Sequence, residues 1–411
     1  MEEDPIVISG IGALTPIGNS WPATWRALKE GRSGVAPITL FDATGMTTSI
    51  AAEVKGFDPA DHFTPKRCKR SSRASQLAVV AAREAIRDAG LPEDLTELDA
   101  GVIVNCAVSG FAEVQTATEA LLAGGPRHVS PAFVPAAITN MPACEVAIDL
   151  HAHGPVNASA LACASGLYAL LEARRWLQAG EAKIVIAGGA DASITSAMFA
   201  GLGAMRVLSP GNGAPEEASR PFDADRDGFV FGEGAVVFVM ERRSHAAARG
   251  ASAYAAVLGG ALTCDGFHIV APEPSGEYAA RAIRRALEAA RLAPSEVDYI
   301  CAHGTSTQAN DRTETRAIHQ ALGAAARHVA VSAPKSMTGH LIGAAGALGA
   351  LACVLAIRDG VIPPTINYHT RDPACDLDYV PNTARQQAVR HAIANAFGFG
   401  GQNCVVAFGK G

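Results

Sequence analysis

The chain has 411 residues, enough for two ordinary domains or one large layered one. Apolar residues make up 49% and charged residues 18%, so an extensive core can be buried, and a formal net charge of −6 argues against a nucleic-acid binder acting over the whole surface. The 9 cysteines form no CxxC pair and no His/Cys zinc spacing, so no metal is expected and the expected compartment is a reducing one, the cytoplasm.

The acidic start, Met1 to Pro5, is unlike a signal or transit peptide. Pro5 to Gly12 reads as a buried strand ending in glycines. Ser71 to Ala89 reads as a helix, stopped by Gly90 and Pro92. Gly101–Val104, Lys183–Gly189 and Ala235–Met240 are near-continuous apolar strands, the sign of a sheet covered on both faces. Pro210 to Glu217 is a surface loop.

The pattern then restarts. Strands are expected at Ala253–Leu258, Val297–Ala302 and Val329–Ser332, with helices at Tyr278–Arg291 and Arg312–Leu322. Ile393–Ala396 and Cys404–Phe408 complete the set. From Leu341 to Ile357 no residue is charged, and Arg358 and Asp359 close the run. This stretch is close to the lower limit of a membrane span, but its Ala and Gly content reads as a buried central helix, so no membrane partner is expected. Two αβ halves are predicted, 1–250 and 251–411. The argument is the order of elements, since no residue-level repeat is present.

The chemistry gathers at strand ends. Pro155 to Gly180 reads as a strand, a turn and a helix, with Cys163 at the change of pattern. A thiol over a first helical turn faces free N–H groups, which lower its pKa and favour a nucleophilic thiolate; a buried structural cysteine is the plain alternative. Three further signals accompany it. Cys301 to Asp311 delivers His303 into a Gly/Thr turn with Thr305 and Thr307. Ser332 to Gly343 carries Lys335 and His340 at the mouth of the apolar helix. Phe397 to Asn403 holds Gly398, Gly400 and Gly401, which allow a close N–H pocket for an anion.

These features stand in order with Gly10 to Gly18 and with Arg220 to Gly234. Together they span nearly the whole chain, which resembles the β-ketoacyl-[acyl carrier protein] synthases. The resemblance is to the fatty-acid ketoacyl synthase II group and to the ketosynthase alpha subunits of type II polyketide systems. It implies an α/β fold of thiolase type, five-layered (αβαβα) from two pseudo-duplicated halves. It implies decarboxylative Claisen condensation of an acyl group with a malonyl group, both on the phosphopantetheine of acyl carrier protein, without metal or redox cofactor. Cys163 takes the acyl chain, and His303 and His340 serve the malonyl thioester. Lys335 supports the histidines, paired with Glu314 or Asp311. The backbone N–H groups of Cys163 and Phe399 form an oxyanion hole, and Phe399 is the gate.

By the same resemblance, Thr305, Thr307 and His268 touch the pantetheine arm, although Val270 and Ala271 replace more polar residues near His268. Val108, Phe111, Phe133, Ala162, Leu202 and Phe399 shape the acyl pocket. Lys66, Arg67, Lys69 and Arg70, with Arg127 and Arg206, read either as a solvated face, the default, or as a docking patch that steers the acidic carrier. The expected assembly is a homodimer, or a heterodimer with a chain-length-factor-like partner. The preferred pathway is type II polyketide or polyene synthesis, on Ala164 beside the nucleophile and on the filling of the Ala107–Phe111 and Leu202 region. The alternative is the housekeeping fatty-acid enzyme. Two rivals remain: a non-catalytic chain-length scaffold, which lacks the cysteine, and a coenzyme A thiolase using Cys404 as base.

Overall fold

The computed structural model describes residues 4–411. Its main sheet has ten strands: β1 (Ile6–Leu14), β2 (Ala100–Asn105), β3 (Val156–Asn157), β4 (Ile184–Asp191), β5 (Gly234–Arg242), β6 (Ala255–Cys264), β7 (Tyr299–Cys301), β8 (Ala330–Ser332), β9 (His391–Gly398) and β10 (Gln402–Gly409). Their order is β8-β7-β9-β10-β6-β1-β5-β4-β2-β3. Counted outward from the middle, each half runs first, fifth, fourth, second, third. In each half the two inner pairings are antiparallel and the two outer ones parallel. The halves meet where Val7 lies opposite Ala256 and Ile8 opposite Ala255.

The strands are apolar on both faces because both faces are covered. One face of each half, with Val185, Ala187, Phe238 and Met240 from the first and Ala392, Ala394, Val406 and Phe408 from the second, closes on two central helices, Ser165–Ala179 and Ala345–Asp359. The outer face of the first half packs Val102, Val104, Ile184 and Ile186 with residues of the helices Arg73–Asp88 and Met141–Asp149. The outer face of the second packs Ile300, Val331, Ile393 and Val405 with residues of Glu277–Ala290 and Gln308–Leu322. The result is helix, sheet, helix, sheet, helix. The apolar stretch that could mimic a membrane span is the second central helix, and Ile342–Asp359 is 89% buried in protein.

Some local readings change. Between Pro155 and Ala162 only Val156–Asn157 pairs as strand. Helices at Phe111–Gly124, Phe133–Ala137, Met141–Asp149 and Ser196–Ala204 carry no clear period in the sequence. Phe111–Gly124 buries only Ala117 and leaves Phe111, Val114, Leu121 and Leu122 exposed, so no single apolar face marks it.

Candidate active site

The two central helices begin side by side. Each is entered through a single 3₁₀ turn, Ala162–Ala164 and Ile342–Ala344. Small residues let them meet. A Cβ on Gly166 would lie 2.6 Å from the Gly343 carbonyl oxygen, and one on Gly346 would lie 2.7 Å from Leu167 Cβ. This close crossing brings Cys163, on the first turn, towards His340, just before the second. His303 arrives from the end of β7. One ligating atom each from Cys163, His303 and His340 lies within 4.8 Å of the others, and all three residues are buried. The two imidazole rings stand edge to face, 5.5 Å apart at 82°.

The surroundings fix the protons. His340 Nδ1 accepts from the Ile342 N–H at 3.0 Å. Lys335 Nζ donates to the His303 carbonyl oxygen at 2.5 Å and lies 3.4 Å from His303 Nδ1. Both Nδ1 atoms therefore face donors, and each neutral ring carries its proton on Nε2, the nitrogen left for the site. Burial, with the Lys335 charge second, holds both imidazoles well below their usual range, so they are neutral donors. Burial also lowers Lys335 from its usual value, against attraction to Glu314 among others.

The thiol differs from the sequence expectation. Cys163 sits on the turn before the helix, not over its first turn, and burial pushes its pKa up to about 11. Lys335 and the backbone N–H groups of Phe399 and Cys163 pull the other way without prevailing. Those are the two N–H groups expected to form an oxyanion hole. Gly398 holds them together: a Cβ there would meet the Leu161 carbonyl oxygen at 2.7 Å and Cys163 N at 3.3 Å.

The expected ion pair of Lys335 with Glu314 or Asp311 is corrected: the ammonium rests on His303, and both carboxylates act on it only at longer range. Asp311 pairs with Arg226, Nε to Oδ2 at 3.3 Å, and accepts from the Phe222 and Thr305 N–H groups. Glu314 accepts from the His303 and Gly304 N–H groups at 2.7 and 2.8 Å and so braces the histidine turn. Sequence reasoning missed Arg226, which is fully buried and also holds Asp372 at 2.9 Å and the Thr307 carbonyl at 3.1 Å. It missed Phe229, edge-on to His340 at 5.5 Å. It also missed Asp191, which accepts from the Ala107, Val108 and Gly343 N–H groups, with burial pushing its pKa up to about 6.

Of the remaining predicted residues, Thr305 is buried with its hydroxyl 2.9 Å from that of Thr307, which caps the following helix. Phe399 is partly exposed, and Gly400 beside it has φ +83°. His268 is exposed, its Nδ1 accepting from the Val270 and Ala271 N–H groups. Val108 and Leu202 join Ile342, Phe229 and Phe231 in one cluster next to His340. Phe111 and Phe133 lie outside that cluster, with Phe111 53% exposed. Lys66, Lys69, Arg70, Arg127 and Arg206 are exposed. Arg67 is not free for docking in the same way: it is held by Asp149 and, at 4.0 Å, by Glu145. Cys404 is wholly buried in the central core, its thiol pushed up to about 12 by burial, so it is poorly placed to act as a thiolase base.

Two family models match the chain: the N-terminal domain of β-ketoacyl synthases over residues 3–246 and the C-terminal domain over residues 254–369. A 3-oxoacyl-[acyl-carrier-protein] synthase 2 from Synechocystis is 47% identical over 411 residues, covering 100% of this chain and 99% of the relative. Among solved structures, the ishigamide ketosynthase/chain length factor has a TM-score of 0.93 at 39% identity, covering 99% of each chain. A type II polyketide ketosynthase bound to a hexaketide, in complex with its acyl-carrier protein, has a TM-score of 0.92 at 31% identity, covering 100% of each.

Proposed function

The chain belongs to the β-ketoacyl synthase family, a family of condensing acyltransferases, and from that premise we propose that Cys163, His303 and His340 carry out a decarboxylative condensation. The observation that carries this reading is one buried thiol within 4.8 Å of two imidazole nitrogens, with both rings held as Nε2–H donors.

The steps balance. Cys163 sulfur attacks a carrier-bound acyl thioester; the S–acyl bond forms and the pantetheine sulfur departs with the thiol proton. The malonyl carboxylate then leaves as CO2, its C–C bonding pair becoming an enolate. Two neutral N–H donors suit the enolate oxygen, and a cationic or basic partner is not needed there. The enolate carbon attacks the acyl carbonyl, the oxyanion rests on the Cys163 and Phe399 N–H groups, and collapse expels the Cys163 thiolate, which takes from solvent the one proton that the overall reaction consumes. Burial keeps water from protonating the carbanion. Lys335 positions His303 and lends positive charge to the forming thiolate. Thr305, Thr307 and His268 line the way for the pantetheine arm, and Val108, Leu202 and Phe399 bound the acyl chain. Exposed Lys66, Lys69, Arg70, Arg127 and Arg206 steer the acidic carrier.

A second subunit, either another copy or a chain-length-factor-like partner, covers the flank beside β3. That strand is an edge, and its Val156 is exposed. Helices Phe111–Gly124 and Phe133–Ala137 expose Phe111, Leu122 and Val134, and Ile138 just after the second is exposed too. For the pathway we favour a type II polyketide or polyene system, supported by the likeness to the ishigamide ketosynthase. The 47% identity to a synthase 2 favours the fatty-acid reading instead. Turnover on acyl carriers of graded length and unsaturation, with and without candidate partner subunits, separates the two. Cys163→Ala should stop acyl loading, whereas Cys163→Gln should still release CO2 from malonyl-carrier. A Gln variant that releases none overturns the histidine roles.

A further inference from the structure

Cys163, His303 and His340 make a donor set that zinc-like cations favour: one thiol and two imidazoles with their ligating atoms all within 4.8 Å. A tetrahedral zinc holds its ligand atoms roughly 3.5 Å apart, so a contraction of about 1 Å would close the set around a metal. The hydrogen bonds behind the rings run the wrong way for that. A ligating histidine turns its second nitrogen, as an N–H, toward a carboxylate or carbonyl. Here the second nitrogen of each ring meets a donor, the Ile342 N–H at 3.0 Å for His340 and the Lys335 ammonium at 3.4 Å for His303. To free an Nε2 lone pair for a metal, the ring proton must move to Nδ1, where it would point at another hydrogen.

We propose that Lys335, together with the Ile342 amide, keeps this thiol–diimidazole set from capturing borderline-soft divalent cations, and so reserves it for acyl thioesters. Lys335 is in this sense a specificity-determining residue that acts through His303. The proposal rests on Cys163 and the two histidines being the reacting set. Lys335 is buried, and its ammonium is anchored on the His303 carbonyl at 2.5 Å, so its place behind the ring is fixed. Lys335→Gln inverts the bond: the amide N–H can serve the carbonyl while the amide oxygen accepts from Nδ1–H. Lys335→Met removes the donor and adds no acceptor.

The test is titration of the purified full chain with Co2+, following the thiolate-to-cobalt charge-transfer band. Lys335→Gln should bind cobalt at least tenfold more tightly than the unaltered chain, in line with the roughly 10–100-fold weight of partners behind metal ligands. Lys335→Met should fall between them and carries the same comparison if the Gln variant does not fold. Adding Cys163→Ala to either should abolish the band. An unaltered chain that develops the band at the same cobalt concentration as both variants overturns the proposal. The readout needs no turnover, so it fails separately from the site assignment, which persistent condensation by Cys163→Ala would overturn.

Discussion

Gly398→Ala isolates the oxyanion hole from the rest of the site. The added Cβ would stand 2.7 Å from the Leu161 carbonyl oxygen, 3.2 Å from Ala162 Cβ and 3.3 Å from Cys163 N. An unstrained C···O contact is about 3.3 Å or more, so something must yield by roughly 0.6 Å. The turn bearing the thiol is pinned, because Ser165 Oγ bonds both Leu161 N and the Ala162 carbonyl. The Gly398–Gly401 loop is the softer side and carries the Phe399 N–H outward with it. Losing one such donor costs on the order of 10²–10³ in rate, about 2.7–4 kcal/mol. Overpacking costs about 1–3 kcal/mol of stability, which this large core tolerates. Acyl loading and condensation both pass through a tetrahedral oxyanion, so both should slow by that factor, followed by intact mass and by product formation. Alkylation of Cys163 by iodoacetamide and release of CO2 from malonyl-carrier need no such hole and should stay within a few-fold. Condensation within threefold of the unaltered chain refutes the reasoning, as does an equal fall in all four measurements.

With its thiol raised to about 11, Cys163 should be about 10⁻⁴ thiolate at pH 7, and its alkylation rate should climb about tenfold per pH unit up to at least pH 9.5. A plateau below pH 8.5 would show that the N–H groups and Lys335 outweigh burial after all. Arg226→Met leaves Asp311 buried without its cation, while Asp372 keeps Arg312 at 3.2 Å, and should cost about 3–5 kcal/mol in denaturant unfolding, with loss of activity through the Thr305 turn; a cost under 1 kcal/mol would show that this clamp is dispensable. Reversing Lys66, Lys69 and Arg70 to Glu should raise KM for the carrier and flatten its salt dependence with kcat held, while a kcat effect alone would count against docking there.

The layered fold was legible because strands buried on both faces leave unbroken apolar runs, as at Ile184–Asp191 and Gly234–Arg242. The candidate site residues Cys163, His303 and His340 stood out in the sequence because each lies in a turn of small residues next to a glycine, Gly166, Gly304 and Gly339. Helix Phe111–Gly124 was not, since it buries one residue and its apolar side chains face outward. Nor was the thiol's pKa: the sequence shows the helix that follows Cys163 but not the depth at which the turn lies. The partner of Asp311 was hidden for a similar reason, because Arg226 is distant in sequence and looks like any surface cation until its burial is known.

The two halves explain why the second central turn carries no counterpart of Cys163. Ala162–Ala164 and Ile342–Ala344 are equivalent turns, each opening with a left-handed residue, Ala162 at φ +47° and Ile342 at φ +49°. Each leads into a central helix of 15 residues that ends at a left-handed glycine, Gly180 or Gly360. Gly343 thus stands where Cys163 stands in the first half. A side chain there forces a shift, because a Cβ would lie 2.4 Å from Asp191 Oδ2, the carboxylate that accepts the Gly343 N–H at 2.7 Å, and 2.7 Å from Ala107 N. The second half therefore contributes its chemistry from the residues that lead into the turn, where His340 faces the thiol across the helix crossing. Gly343→Ala should be more damaging than its size suggests, since it expels Asp191 from the Ala107 and Val108 amides and shifts the acyl pocket, while the Cys163 turn itself is untouched. Condensation lost with iodoacetamide labelling intact is the expected result; unchanged condensation would mean that Asp191 does not hold the two halves in register.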